Sequence, residues 1–285
     1  MTKSPQPGVS SLAELRKDID RIDESMHQLL MERGEIIDRL IAAKNTQEVG
    51  SAFRPAREAD MMRRLVQRHR GILPLDTVES IWRVIISTFT HVQAPFSVHA
   101  DLSAGDALMR DSARFHFGFT VPFVPHTGAS GVVAAVSDSK GDLGLVPAFA
   151  APHAGAWWTA LEFESAPRII ARLPFVERAD HPAALPVFVI SRVAPDAMAA
   201  ETEIWSMHVT GWGSEAGRAA SALAPLIAVP DPMLDDGAAL LVSVPAGGKI
   251  ADVTAALVKA GAEVHSSALV GSHATRYTVP AKNSK

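Results

Sequence analysis

Apolar residues recur with a helical period between Ser11 and Lys44. Steps of four and three residues alternate, which predicts one helix of about 34 residues and about 50 Å. The stripe runs through Leu15, Ile19, Ile22, Met26, Leu29, Arg33, Ile36 and Leu40. Ser11 and Glu14 have the spacing of a capping box at its start. One small domain cannot cover so long a helix, so the pattern favours a helical dimer or a bundle.

Two shorter helices are predicted before Pro95, which gives three helices in this part of the chain. One begins at Pro55 and runs to about His69. The other is expected to be capped by Asp76 and to end before Pro95. Its apolar stripe consists of Val78, Ile81, Trp82, Ile85 and Phe89, with Gln93 next on the same stripe.

The period of the apolar residues changes after Pro95. Short β-type runs are predicted at 96–100, 121–124, 143–146, 168–173, 187–190, 204–209 and 240–244. Helical segments are predicted between them, at about 105–117, 129–138, 215–227 and 250–260. Strands that alternate with helices indicate an α/β or α+β region. We therefore predict a multidomain chain in which an all-α region precedes an α/β region.

Charge density supports a boundary near Pro95. Residues 1–94 hold 14 Lys and Arg and 13 Asp and Glu, whereas the remaining segment, twice as long, holds 13 and 18. We predict a helical domain over 1–94, an α/β domain over 95–200 and a smaller α+β unit over 201–285. A length of 285 residues is enough for about two domains.

Composition excludes several classes of protein. A net charge of −4 argues against a general nucleic-acid surface, and the absence of cysteine excludes disulfides and thiolate metal sites. No apolar run approaches the ~20 residues that span a bilayer, and the N-terminus has no apolar core of a signal peptide. The histidines show no metal-site spacing. We expect a cytoplasmic protein with no cofactor, no metal, no nucleic acid and no membrane as partner.

A charged residue on the first stripe carries the strongest functional indication. Arg33 occupies a position where an apolar residue is expected, and Lys44 returns to nearly the same face eleven residues later, about 16 Å along the axis. Arg16 is about 25 Å from Arg33 on the same helix and roughly 100° around it. We expect Arg16 to serve a site built by a second copy of the helix, so that a symmetric dimer has two shared sites.

Three more polar residues are expected at this site. Arg57 and Glu58 open the second helix, and Gln93 is an amide on an otherwise apolar stripe. Such a set binds and shapes an anion by electrostatic preorganisation, without a covalent nucleophile. Each residue alone also has a structural interpretation: an arginine on a seam is often paired, and Lys44 near a helix end can oppose the helix dipole.

The N-terminal region resembles the all-helical chorismate mutases. The resemblance rests on LAELRKDIDRIDESMHQLLMERGEIIDRLIAAK, on RPAREADMMRRL and on the late Gln93, and it covers about residues 11–94. It implies an intertwined helical homodimer that converts chorismate to prephenate by a Claisen rearrangement in aromatic amino acid biosynthesis.

The resemblance also implies a role for each site residue. Arg16 would hold one substrate carboxylate in the partner's site, and Arg33 would hold the other. Lys44 and Gln93 would bond the ether oxygen, where negative charge grows. Glu58 would accept from the ring hydroxyl, and Arg57 would add to the cationic wall. Two positions depart from the family pattern: Arg54 replaces an acidic residue, and Phe89 replaces a small hydroxyl residue.

The second region resembles prephenate dehydratase without its catalytic signatures. The family's Thr-Arg-Phe falls at residues 185–187, which read Leu-Pro-Val, and its Pro-Ile-Glu-Asn falls at 147–150, which read Pro-Ala-Phe-Ala. We therefore expect a non-catalytic remnant over 95–200. Residues 201–285 are interpreted as an ACT-like regulatory unit, since strand 240–244, helix 250–260 and two further strands fit a βαββ order.

Three alternatives to the mutase with a non-catalytic C-terminal region stay open from the sequence. The first is a bifunctional mutase and dehydratase, and the second is a catalytically dead mutase fold that senses a ligand. The third is a pyruvate lyase on the same helical fold, against which the absence of lysine in the loop 45–53 argues.

Overall fold

The protein is described here by a computed structural model that covers residues 11–44, 52–150, 154–192, 201–231 and 233–279. The chain divides into two compact units, Met1–Glu48 and Val49–Lys285. The predicted boundary near Pro95 lies inside the second unit. This division by packing does not test where functional domains begin, so the predicted domains 1–94, 95–200 and 201–285 stay predictions. Most of the loop predicted at 45–53 lies outside the described residues.

The first unit contains one helix, α1, over Leu12–Lys44. The capping box is confirmed, because the Ser11 amide donates to Glu14 Oε2 (2.7 Å) and the Glu14 amide donates to Ser11 Oγ (3.2 Å). The bond from the Ser11 amide to the Glu14 carboxylate lowers the pKa of Glu14 most, and a side-chain bond from Ser11 lowers it further. The apolar stripe of α1 is largely exposed in the single chain, with Ile19 at 56% and Leu29 at 62%.

The second unit contains six α-helices and one 3₁₀ helix among the described residues. These are α2 (Pro55–Arg68), α3 (Leu75–Gln93), α4 (Asp106–Phe117), α5 (Ala129–Asp138), η1 (Trp157–Leu161), α6 (Ser214–Ser221) and α7 (Ile250–Lys259). Helix α3 begins one residue before Asp76, and its N-cap is Pro74. The prediction that Asp76 caps this helix is therefore wrong: the residue lies in the first turn, where a negative charge favours the helix dipole.

Eleven strands form two sheets in the described part of this unit. They are β1 (Val98–Asp101), β2 (Phe123–His126), β3 (Leu143–Pro147), β4 (Arg168–Leu173), β5 (Val176–Glu177), β6 (Val187–Ser191), β7 (Thr202–Thr210), β8 (Leu226–Pro230), β9 (Gly237–Val244), β10 (Glu263–His273) and β11 (Tyr277–Thr278). Nine of them build one mixed sheet in the order β2-β1-β3-β6-β4-β10-β7-β9-β8. The predicted fold class is confirmed: a helical N-terminal region precedes an α/β region with a large mixed sheet.

Side chains alternate between the two faces of this sheet, as the period of a strand requires. Along β6, Val187 and Val189 point to a core that α2, α3 and α4 cover, while Phe188 and Ile190 point to the opposite face, under α5 and η1. Strand β9 alternates in the same way between a core under α6 and α7 and the face that η1 covers. Helices α2 and α3 thus share a hydrophobic core with the sheet.

Residues 202–273 fold in the order β7-α6-β8-β9-α7-β10, a βαββαβ arrangement. Within the large sheet these four strands lie in the order β10-β7-β9-β8 and pair with one another in antiparallel fashion. The helix predicted at 215–227 is too long, because α6 ends at Ser221 and β8 begins at Leu226. Pro225 explains the break, since proline removes a helical hydrogen bond and clashes with the preceding turn.

Gly271 joins the two parts of the large sheet. A β-bulge in β10 ends at Gly271, which pairs with Ile169 of β4. The φ angle of Gly271 is 159°. A Cβ atom at this position would lie 2.1 Å from the Ile169 carbonyl oxygen. Only glycine allows so close an approach of two backbones.

Acid is expected to destabilise this fold through His273 at the end of β10. Burial lowers its pKa from 6.5 to about 4, although Nδ1–H donation to the Ala274 oxygen (2.8 Å) opposes the shift. The unfolded chain then binds a proton that the folded chain does not, so stability falls as the pH drops from about 6.5 to about 4. The expected loss is about 2–3 kcal/mol. Urea unfolding at pH 7 and pH 4.5 measures it.

The variant His273→Asn should lose this part of the pH dependence, while His27→Asn, on the exposed surface of α1, should keep it. An unchanged slope in His273→Asn would contradict the assignment.

Candidate active site

Three of the predicted site residues lie on α1. Arg16 is exposed, Arg33 is half-buried, and Lys44 is the last residue of the helix. Since α1 is continuous and regular from Leu12, Arg33 and Lys44 keep the separation of about 16 Å that the sequence predicts. Arg16 is on the same rigid helix and stays about 25 Å from Arg33.

The other three predicted residues lie in the second unit, on α2 and α3. Arg57 is exposed in the first turn of α2. Gln93 ends α3, where its Nε2 donates to the carbonyl oxygen of Phe89 one turn earlier (3.0 Å). Phe89 also precedes Gln93 by the four residues that the family pattern assigns to a small hydroxyl residue. This departure therefore lies beside the amide that is predicted to bond the ether oxygen.

Glu58 is buried and paired with a residue that the sequence analysis missed. Its Oε2 accepts from Arg83 Nη1 at 2.6 Å, and the two residues are 4% and 0% exposed. Arg83 also donates from Nη2 to the carbonyl oxygen of His116 (3.1 Å) and lies 5.2 Å from the centre of the Phe175 ring. One oxygen of Glu58 is thus committed to an ion pair that ties α2 to α3 and α4.

A second buried ion pair joins Glu79 of α3 to Arg178, which follows β5. Glu79 is fully buried, and its Oε2 accepts from Arg178 Nη1 (2.7 Å). The amide of Ala183 donates to His181 Nδ1 (3.0 Å), so the proton of this imidazole is on Nε2, which donates to Glu79 Oε1 (3.2 Å). With a neutral His181, the two carboxylates and two guanidiniums of this buried cluster balance in charge.

His116 completes this cluster as a neutral imidazole. It is fully buried, its ring stacks on that of His181 at 6.1 Å, and neither ring nitrogen has a hydrogen-bond partner among the described residues. Burial lowers its pKa well below the usual range, and the positive charge of Arg83 lowers it further. The cluster therefore contains no surplus cation for an anionic ligand.

The second unit buries only part of the predicted apolar stripe of α3. The buried residues are Val78, Glu79, Arg83, Ile86, Ser87 and Thr90. Ile81 of the predicted stripe is 39% exposed. The true face is offset from the apolar stripe and carries two charges. Only the four-residue spacing of Glu79 and Arg83 indicates it in the sequence.

The two segments that would carry the dehydratase signatures do come together. The amide of Ala148 donates to the carbonyl oxygen of Pro186 at 2.9 Å. Leu185, Val187 and Ala148 are buried, and Phe149 is partly exposed. None of these side chains can exchange a proton or act as a nucleophile.

The part of the chain that the structure describes holds no group of three His, Asp or Glu placed to bind a metal ion. Among the same residues, no helix is long and apolar enough to cross a membrane.

Comparison with known proteins finds a family match in the N-terminal region. The family model of chorismate mutase type II matches residues 15–94. The bifunctional chorismate mutase/prephenate dehydratase of Aquifex aeolicus is 29% identical over 143 residues, which is 49% of this chain and 39% of that protein. The protein of the same name from Pseudomonas aeruginosa is 29% identical over 141 residues, 48% of this chain and 38% of that protein.

Other similarities are shorter or weaker. A further bifunctional chorismate mutase/prephenate dehydratase, from Neisseria gonorrhoeae, is 31% identical over 103 residues, 36% of this chain and 27% of that protein. A solved structure titled "GqqA- a novel type of quorum quenching acylases" matches with a TM-score of 0.37 and 13% identity over 60% of this chain and 93% of that one, which does not establish a common fold.

Each match covers less than two fifths of the curated relative's length. The match to the Aquifex protein spans about half of this chain, more than the helical region alone. The family model of chorismate mutase type II thus matches the N-terminal third of this chain, and that region is followed by an α/β region built on a large mixed sheet.

Proposed function

We propose that this chain is a chorismate mutase that converts chorismate to prephenate in aromatic amino acid biosynthesis. The observation that carries the proposal is the family match over residues 15–94. That range contains the residues to which the resemblance gives a role: Arg16, Arg33, Lys44, Arg57, Glu58 and Gln93. The rearrangement breaks a C–O bond and forms a C–C bond within one molecule. It needs a compact conformer and stabilised charge, and it needs no nucleophile or cofactor.

In this proposal each site residue interacts with a particular group of the substrate. Arg33 and the partner's Arg16 hold the two carboxylates and so select the reactive conformer. Lys44 and Gln93 donate to the ether oxygen as negative charge grows there. Arg57 adds positive potential. Glu58 accepts from the ring hydroxyl through Oε1, since Oε2 is bonded to Arg83.

A homodimer is the second part of the proposal. Helix α1 is 33 residues long and exposes a stripe of large apolar side chains along its length. Apolar surface of this extent favours association with another copy, because its burial contributes about 25 cal/mol per Å². We propose that a second copy covers the stripe and that each site takes Arg16 from the partner. A cytoplasmic location stays a prediction.

We further propose that residues 95–285 are not catalytic. The curated relatives are bifunctional, so a dehydratase activity is the second candidate. The apolar side chains at 147–150 and 185–187 argue against it. Release of phenylpyruvate from prephenate at neutral pH by the purified protein would decide for the second candidate.

The full chain is expected to consume chorismate, measured as loss of its ultraviolet absorbance, with prephenate as product. The shared site is tested by co-expressing two inactive variants, Arg16→Ala and Lys44→Ala. A mixed dimer has one site with neither substitution, so about a quarter of the wild-type activity should return.

The matched control is co-expression of Arg33→Ala with Lys44→Ala, which leaves every site damaged and should restore nothing. If wild-type protein leaves chorismate unchanged, the proposed activity is wrong and a ligand-sensing role gains support. If the wild type is active but the first pair restores nothing, Arg16 serves its own chain's site.

A further inference from the structure

A cavity of about 500 Å³ opens on the face of the large sheet that η1 covers. Its polar wall contains Glu162, which follows η1, His208 of β7, and Asp231, which follows β8. These residues lie in the α/β region and are outside the set proposed for the mutase reaction. A cavity of this volume is in the usual range for small-molecule sites.

His208 is held between the two carboxylates. Its Nδ1 bonds Asp231 Oδ2, and its Nε2 bonds Glu162 Oε1 at 2.9 Å. Burial lowers the pKa of His208, but the two hydrogen bonds and charges together outweigh burial and raise it above its usual value. Since both ring nitrogens donate to carboxylates, the imidazole is the doubly protonated cation.

The two carboxylates differ in which oxygen atoms can accept a hydrogen bond from a ligand. Asp231 uses Oδ2 for His208 and Oδ1 for the amide of Met233 (2.9 Å), and it is 5% exposed. Glu162 is 26% exposed, and its bonds to His208 and to Ser206 (2.5 Å) both use Oε1. Glu162 is thereby fixed in orientation, and Oε2 is the oxygen for a bound donor.

The charges of Glu162, His208 and Asp231 sum to about −1, from one imidazolium and two carboxylates. A second histidine of the wall, His265, bonds Thr210 Oγ1 through Nε2 (2.8 Å). No lysine or arginine is among the described residues that line it. The rest of the wall is largely apolar, and two of its large side chains, Phe163 and Met233, are 71% and 81% exposed. Exposed apolar side chains beside a fixed carboxylate suit a ligand with one positive charge and an apolar body.

We propose that this cavity binds a small organic amine, with the ammonium on Glu162 and the apolar body against Phe163 and Met233. The absence of lysine and arginine from the described wall disfavours ligands that carry a carboxylate, including zwitterionic amino acids, because the His208 cation already donates both its N–H groups to Asp231 and Glu162.

The test is isothermal titration of the full chain at pH 7 with three compounds of similar shape. Phenethylamine should bind, while 2-phenylethanol should bind at least tenfold more weakly and phenylacetate should not bind. Glu162→Gln should weaken phenethylamine binding about 10–100-fold, the effect of losing a hydrogen bond to a charged group. Glu164→Gln, an exposed neighbour outside the cavity, should bind like the wild type.

Phe163→Ala is a second variant that should not affect folding, because the Phe163 side chain is exposed. This substitution should weaken phenethylamine binding several-fold. The proposal is overturned if phenylacetate binds as well as the amine, or if phenethylamine gives no binding at millimolar concentration. Equal affinity in the wild type and in Phe163→Ala would also overturn it.

Discussion

Lys44→Ala is expected to lower kcat for chorismate by about 10²–10³-fold, the usual effect of removing a donor to an oxygen that gains charge in the transition state. Because Lys44 is proposed to act on the breaking bond, KM should change much less than kcat. The measurement is the initial rate of chorismate loss over a range of substrate concentrations.

A structural role for Lys44 predicts a different result. As the last residue of α1, the lysine can favour the helix dipole, which is worth about 0.3–1 kcal/mol of stability. In that case thermal unfolding would shift slightly and kcat would not. Lys17→Ala, an exposed lysine near the other end of α1, is the matched control and should keep full activity. A Lys44→Ala protein with wild-type kcat would refute the proposed chemistry.

Periodicity predicted the helices and most of the large strands because each element obeys one local rule. Helix α1 follows the four-three alternation to within one residue at its start, and its cap is formed by Ser11 and Glu14, as predicted. Strand β6 begins with a continuous apolar run, residues 187–190, that is buried on both faces, which a sequence marks clearly. The order β2-β1-β3-β6-β4-β10-β7-β9-β8 has no such local rule, because pairing between distant strands depends on packing of the whole unit.

The buried face of α3 could not be predicted for the same reason. Its apolar stripe through Ile81 is the better hydrophobic match, yet the second unit buries the neighbouring face with Glu79 and Arg83. Charges are buried only where partners meet them, and the partners Arg178 and Glu58 lie 99 and 25 residues away in the chain. Single-sequence analysis finds a charge on a seam, as at Arg33, but not the pairing that makes burial possible.

The family pattern and the packing give the Glu58 carboxylate two different roles. The resemblance assigns its carboxylate to the substrate's ring hydroxyl, whereas the structure places one oxygen in an ion pair with Arg83 inside the core. The assigned role and the ion pair are compatible only if Arg83 fixes the orientation of Glu58 and leaves Oε1 for the substrate. The integrity of that pair then matters for stability of the second unit before it matters for catalysis.

Arg83→Met is therefore expected to destabilise the protein by about 3–5 kcal/mol, because it leaves the Glu58 carboxylate buried without a partner. The carbonyl oxygen of His116 would lose its donor as well. Urea unfolding at pH 7, followed by the tryptophan fluorescence of the folded unit, gives the free energy of each variant.

The double variant Glu58→Met, Arg83→Met separates charge burial from loss of packing. Methionine at both positions fills much of the same volume without a charge, so it should recover most of the stability lost in Arg83→Met. Arg64→Met is the matched control on α2. Arg64 pairs with Asp60 at 3.0 Å, but the two side chains are 60% and 39% exposed. Loss of this exposed ion pair should lower the stability by less than about 1 kcal/mol. If Arg83→Met costs no more than Arg64→Met, the buried pair does not hold α2 against α3. If the double variant is less stable than Arg83→Met, the loss in Arg83→Met comes from shape and contacts, and the unpaired charge of Glu58 is not its cause.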